Sequence, residues 1–116
     1  MEINLVEKEG IDIIILNGRL DVTTTPDLEK ALSGLFEQKK LKMLIDCTDL
    51  EYISSAGLRS LLTAAKTSKK IGGRIVLANL NTNVKQIFEI SGFTSIFDIY
   101  ENLQQAGKSL LQYCLC

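Results

Sequence analysis

The sequence predicts an α/β fold: a mixed, mostly parallel β-sheet that begins with an antiparallel hairpin and carries about four helices, in the order ββαβαβαβα. Three observations predict it. Two strand-like segments flank a turn too short for any crossover, so they must form a hairpin. Later apolar runs alternate with amphipathic helical stripes, the pattern of βαβ units. The run Met43-Leu44-Ile45 is apolar on both faces, as strands covered by helices on both sides are.

Residues 2–8 alternate, with Ile3 and Leu5 on one face and Glu2 and Asn4 on the other, which describes a half-buried strand. Glu7-Lys8-Glu9-Gly10 is a turn, and the β-branched run Ile11–Leu16 is the second strand. The only proline marks a helix entry, with Thr25 as N-cap, Pro26 as the first helical residue, and Asp27 and Glu29 complementing the dipole. Leu28, Ala31, Leu32, Leu35 and Phe36 keep one apolar stripe until Glu37-Gln38-Lys39-Lys40 ends the helix. A strand at 42–47 follows through a right-handed connection. A loop over 48–53 then leads into a helix over about 56–70, on Leu58, Leu61, Leu62 and Ala65. Gly72-Gly73 breaks the chain before a strand at 74–78. The cap-rich stretch 79–83 precedes a short helix with Val84, Ile87 and Phe88 inward, closed by Gly92. Ile96–Ile99 is a short last strand, and 101–112 a terminal helix on Leu103, Ala106, Leu110 and Leu111.

A chain of 116 residues, 46% hydrophobic and 23% charged, is one ordinary globular domain without linker, repeat or low-complexity segment. Its net charge of −1 gives no electrostatic case for nucleic acid. The lysine clusters fall at predicted helix ends, where cations suit the dipole. The N-terminus lacks a basic and apolar leader, and no apolar run approaches the roughly 18 residues of a membrane span. These features predict a cytoplasmic protein without membrane insertion. Histidine is absent, which removes the commonest general base and metal ligand. No Gly-rich phosphate loop with its lysine appears, so no cofactor is expected. Cys114 and Cys116 have no second pair of ligands and predict no zinc site, and Cys47 closes a buried strand and reads as core.

Chemistry concentrates where strands end and helices begin. The loops Gly18–Thr25, Thr48–Ser55 and Asn79–Asn83 share one edge if their strands are parallel, and such an edge is the functional side of an α/β sheet. Asp21, Asp46, Asp49, Ser54 and Ser55 map there. These residues read either as turn and capping groups or as a Mg-dependent acid-base site. No base is available for a serine nucleophile, so catalysis is not expected. In Leu50–Leu58 two serines precede Ala56-Gly57 at a helix start, where free N–H groups favour an oxygen or an anion. A serine there is an N-cap, a displayed hydroxyl for phosphorylation, or both. Gly57 stands where Ala is the better helix former by roughly 1 kcal/mol, so close approach of a partner, a backbone angle forbidden to other residues, or tight packing within the fold accounts for it.

Gly18-Arg19-Leu20-Asp21 with Thr25-Pro26, then Leu44-Ile45-Asp46 with Tyr52-Ile53-Ser54-Ser55-Ala56-Gly57-Leu58, then Ile71-Gly72-Gly73, and finally Val84, Ile87-Phe88 and Ser91-Gly92-Phe93, resemble four ordered motifs of one family. The chain resembles an anti-sigma factor antagonist of the STAS domain family from about residue 3 to residue 108. The resemblance implies a single STAS domain over 1–112, with 113–116 a short extension of no assigned role. It implies a non-enzymatic bacterial regulator that binds an anti-sigma factor serine kinase while unphosphorylated and so releases a sigma factor. A serine phosphatase would reset the cycle, and the chain would be a monomer or weak dimer. By register the phosphoacceptor is Ser55, with Ser54, an Asp in many members, as second candidate. Asp21, Thr23, Asp46, Asp49, Ser54, Ala56 and Gly57 would meet the partner. A STAS subunit of a transport system or larger signalling assembly, bound constitutively, is the competing reading.

Overall fold

The β-branched run beginning at Ile11 builds the strand on which the sheet grows. In the computed structural model, which describes residues 1–112, β2 (Ile11–Leu20) pairs antiparallel with β1 (Glu2–Lys8) and parallel with β3 (Lys42–Ile53). Next to β3 lie β4 (Arg74–Ala78) and β5 (Asp98–Tyr100), both parallel, so the sheet order is β1-β2-β3-β4-β5. The helices are α1 (Thr25–Glu37), α2 (Ser55–Lys70), α3 (Thr82–Ile90) and α4 (Leu103–Leu111), with a 3₁₀ turn at Phe93–Ser95. The element order is the predicted one. The expectations for Cys114 and Cys116 lie outside the described residues. No helix among the described residues is long and apolar enough to cross a membrane.

Two boundaries move in a way that shapes the site. β2 continues through Leu20 and β3 through Ile53, across residues expected to be loop. Asn17, Gly18 and Asp49 are poor strand formers by themselves. They are held in the ladder because each strand supplies the other's partners, with register shifts between Ile15 and Asn17 and between Gly18 and Arg19. Gly18 sits at such a shift with φ +113°, a backbone angle that other residues rarely adopt. The last strand also lies slightly later than expected, because Phe93–Ser95 is taken into the 3₁₀ turn.

The sheet has a core on each face. On one, Leu28, Leu32 and Leu35 of α1, Leu58 and Leu61 of α2, and Val84 and Phe88 of α3 pack on Ile14, Leu16, Met43, Ile45, Cys47, Ile75 and Leu77. On the other, Ala106 and Leu110 of α4 pack on Ile11, Leu44, Val76 and Ala78. Leu103 and Leu111, expected inward, stay 36% and 47% exposed, since so short a helix covers only part of that face. The Arg74 guanidinium ties this layer together, donating to Asp98 Oδ2 (3.1 Å), Ser109 Oγ (2.7 Å) and the Tyr100 hydroxyl (3.1 Å).

Asp12 is buried in β2, cross-strand from Glu7. Loss of water pushes its carboxyl upward, Lys40 draws it down, and Glu7 pushes it further up. The folded chain therefore holds this proton more tightly than the unfolded one. The associated stability is complete below the ordinary value of 3.8 and is lost as pH rises through the folded value. Asp12→Asn is thus expected to equal or exceed the parent in stability at neutral pH, with the advantage shrinking in acid. Urea midpoints at neutral pH and below 3.8 check this.

Candidate functional site

Leu20 and Ile53 close the β2–β3 ladder side by side, so the chain leaving β2 and the start of α2 lie together. The Ser54 amide donates to the Leu20 carbonyl (2.9 Å). Ser54 is the N-cap of α2, in extended backbone, with its Oγ accepting from the Gly57 amide (3.2 Å). That bond satisfies one of the orphan donors of the helix start. Ser55 is the first residue of α2, one residue earlier than expected, and is exposed. Among the described residues its hydroxyl has no hydrogen-bond partner. The two serines are thus unequal: one holds the helix, the other is displayed. Ala56, the next residue of the helix, is half-buried.

Gly57 is buried, and its reason for being glycine lies inside the fold. A Cβ there would come within 2.8 Å of Ile53 Cγ1 and 2.9 Å of the Leu20 carbonyl oxygen. Packing of α2 onto the ends of β2 and β3, and not the approach of a partner, accounts for it.

The loop after β2 is a self-bonded turn. The Asp21 carboxylate accepts from the Thr23 hydroxyl (2.6 Å) and amide (3.0 Å). These two donors hold the carboxyl below the ordinary aspartate range, with a smaller contribution from Arg19, so it is ionised at neutral pH. The N-cap of α1 is Thr24, not Thr25. Thr24 is not a side-chain cap: its hydroxyl donates to the Arg19 carbonyl (2.8 Å) and accepts from the Asp21 amide (2.9 Å), tying the loop to the end of β2. Thr25 is buried as the first helical residue. Arg19 lies over the Tyr52 ring, Cζ 4.4 Å from its centre, so a cation and an aromatic ring flank the same strand ends. The sequence carries both residues, but nothing in it indicates their pairing.

Asp46 does not join this group. It is buried, level with Ala78 at the end of β4, and its carboxylate accepts from the Thr48 amide (3.0 Å) and hydroxyl (2.5 Å). Asn79 Nδ2 in turn donates to Thr48 Oγ1 (3.0 Å), and Asn81 Nδ2 to the Leu50 carbonyl (2.8 Å), while Asn81 Oδ1 caps α3 at the Val84 amide (2.8 Å). The loop after β4 thereby braces the projecting half of β3. The sequence marks 79–83 as rich in capping residues without singling out Asn81, and its bond to Leu50 is not legible there because it spans 31 residues. Asp49 is exposed on β3, opposite Asn17. Asp46→Ala leaves the Thr48 donors unmet and is expected to cost about 1–3 kcal/mol, whereas Asp46→Asn keeps a carbonyl acceptor and loses less. Chemical denaturation of the two variants checks the order.

Cys47 is fully buried, and burial pushes its thiol up to about 12, with Asp46 adding to the shift. It is a neutral thiol at physiological pH and no nucleophile. Among the described residues no group of three His, Cys, Asp or Glu side chains is placed to hold a metal ion.

Comparison with known proteins gives a consistent result. The family model described as the STAS domain matches residues 2–106. The anti-sigma-B factor antagonist of Bacillus subtilis (strain 168) is 35% identical over 101 residues, covering 85% of this chain and 92% of that protein. Among solved structures, an anti-sigma factor antagonist from Mycobacterium paratuberculosis has a TM-score of 0.85 at 21% identity, covering 96% of this chain and 94% of that one. The anti-sigma factor antagonist SpoIIAA in its unphosphorylated form has a TM-score of 0.81 at 18% identity, over 97% of this chain and 99% of that one. Its phosphorylated form gives 0.73 at the same identity, over 94% and 99%. At these identities the structural likeness establishes the fold.

Proposed function

The chain belongs to the STAS domain family, and we propose that it is an anti-sigma factor antagonist switched by phosphorylation of Ser55. In this reading the unphosphorylated form binds an anti-sigma factor serine kinase and so releases a sigma factor. Phosphorylation ends the complex, and a phosphatase restores it. The chain contributes a binding surface and an acceptor hydroxyl, and no catalytic group of its own. The observation that carries the reading is the inequality of the two serines: Ser54 is engaged in capping, while Ser55 is exposed at the first position of α2. Support also comes from the Bacillus subtilis relative, named an anti-sigma-B factor antagonist, and from SpoIIAA, solved in both phosphorylation states.

The geometry suits a reversible signal. A phosphoryl group adds about −1.5 to −2 charge and several acceptor oxygens. At a helix start the dipole and free N–H groups favour that charge, so the fold tolerates it. In the middle of a docked surface the same charge loses water without gaining a partner and opposes binding. Asp21, held ionised by Thr23 beside the start of α2, adds to the unfavourable field. The partner surface comprises the exposed Thr23 and Asp49 with Asp21, Ser54, Ser55 and Ala56.

Incubation with the cognate anti-sigma factor kinase and ATP, followed by tandem mass spectrometry, is expected to place phosphate on Ser55. Ser55→Ala should accept none. Phosphate on Ser54 alone, or full labelling of Ser55→Ala, would overturn the assignment. Capture of a transporter component instead of a kinase from cell lysate would favour the constitutive reading.

A further inference from the structure

We propose that the outer edge of β1 is a self-association surface, where a second copy of this chain adds its own β1 antiparallel. β1 is the edge strand of the sheet and pairs only with β2 among the described residues. Every second residue of this seven-residue strand therefore turns its N–H and C=O outward, the template that strand addition uses. The opposite edge is a poor alternative, since β5 has only three residues.

The side chains point to a second copy as the occupant. Leu5 and Val6, on opposite faces of β1, are 50% and 46% exposed. Pairing about a two-fold axis perpendicular to the sheet must match residues that share a face. The register centred on Leu5 does so along the whole strand: Glu2 meets Lys8 of the second copy, Ile3 meets Glu7, Asn4 meets Val6, and the two Leu5 side chains meet. Symmetry makes the Glu2–Lys8 contact occur twice, with opposite charges each time. Registers centred on Asn4 or Val6 shorten the ladder and leave Lys8 or Glu2 without a counterpart. Neither Glu2 nor Lys8 forms an ion pair within the described residues, so both are available. A groove between β1 and α1 at the same edge is lined by Ile3, Leu5 and Leu35 together with the polar Asp27, Lys30 and Gln38.

One seven-residue ladder is small beside a standard interface of about 1,600 Å², so the dimer is weak and concentration-dependent. β1 lies two strands from β3, whose end leads into Ser55, and the inference does not rest on the proposed function.

Sedimentation velocity over a wide dilution series tests it. The parent is expected to move from 12.9 kDa toward twice that mass as concentration rises. Leu5→Lys, which sets two like charges on the axis, should stay monomeric. Glu2→Lys and Lys8→Glu should each weaken the dimer about tenfold, and the double exchange should restore it. A parent that is monomeric throughout overturns the proposal. So does a dimer unchanged in Leu5→Lys, or a double exchange no tighter than the single variants. Circular dichroism establishes that each variant is folded; should Leu5→Lys unfold, the charge variants decide, since Glu2 and Lys8 are exposed.

Discussion

Gly57→Ala is expected to lower stability by about 1–2 kcal/mol, against the usual direction for an exposed helical position. A Cβ at Gly57 would sit 2.8 Å from Cγ1 of the buried, β-branched Ile53 and 2.9 Å from the Leu20 carbonyl oxygen. That oxygen is backbone at the end of the β2–β3 ladder and already accepts from the Ser54 amide. Overpacking of this kind costs about 1–3 kcal/mol, and the roughly 1 kcal/mol by which Ala is the better helix former offsets only part. For a domain of this size each kcal/mol lowers Tm by about 4–8 °C. Thermal melts of parent and variant measure it. An equally stable variant would show that the end of β2 shifts freely, contrary to the two-sided pairing that holds it.

Ser55→Asp is expected to do the reverse: little to the fold and much to binding. An acidic residue at the first position of a helix complements the dipole, so stability should change by less than about 1 kcal/mol. At the centre of the proposed interface, an unpaired carboxylate should weaken kinase binding by about a hundredfold or more. Calorimetric titration against the kinase, with thermal melts as control, separates the two effects. A large fall in Tm would mean that Ser55 makes a contact within the fold. Unchanged affinity in a stable variant would place the partner elsewhere.

Much of this was legible in advance because its causes are local. Pro26 at a helix entry, the 3.6-residue stripes of α1 and α2, the capping side chains before α3 and the alternation of β1 all act within about four residues. They determined the order of elements and put Ser54 and Ser55 at a helix start. The ends of β2 and β3 were not legible in the same way. Asn17, Gly18 and Asp49 have the composition of a loop, and only the partner strand makes them a ladder. The same holds for Asp46, whose type suggests a surface ligand and whose position buries it against Thr48.

The sequence by itself determined the fold class, the family resemblance and the pair of serines. Tertiary structure alone decided which serine caps and which is displayed, that Asp46 braces a loop, and that Gly57 answers to Leu20. The physical reason is distance along the chain. Each of these outcomes depends on a hydrogen bond or a close approach set by how strands and helices meet: Ser54 with Leu20, Asn79 with Thr48, Gly57 with Leu20. Local propensity does not encode such contacts; they exist only once β2, β3 and α2 are packed.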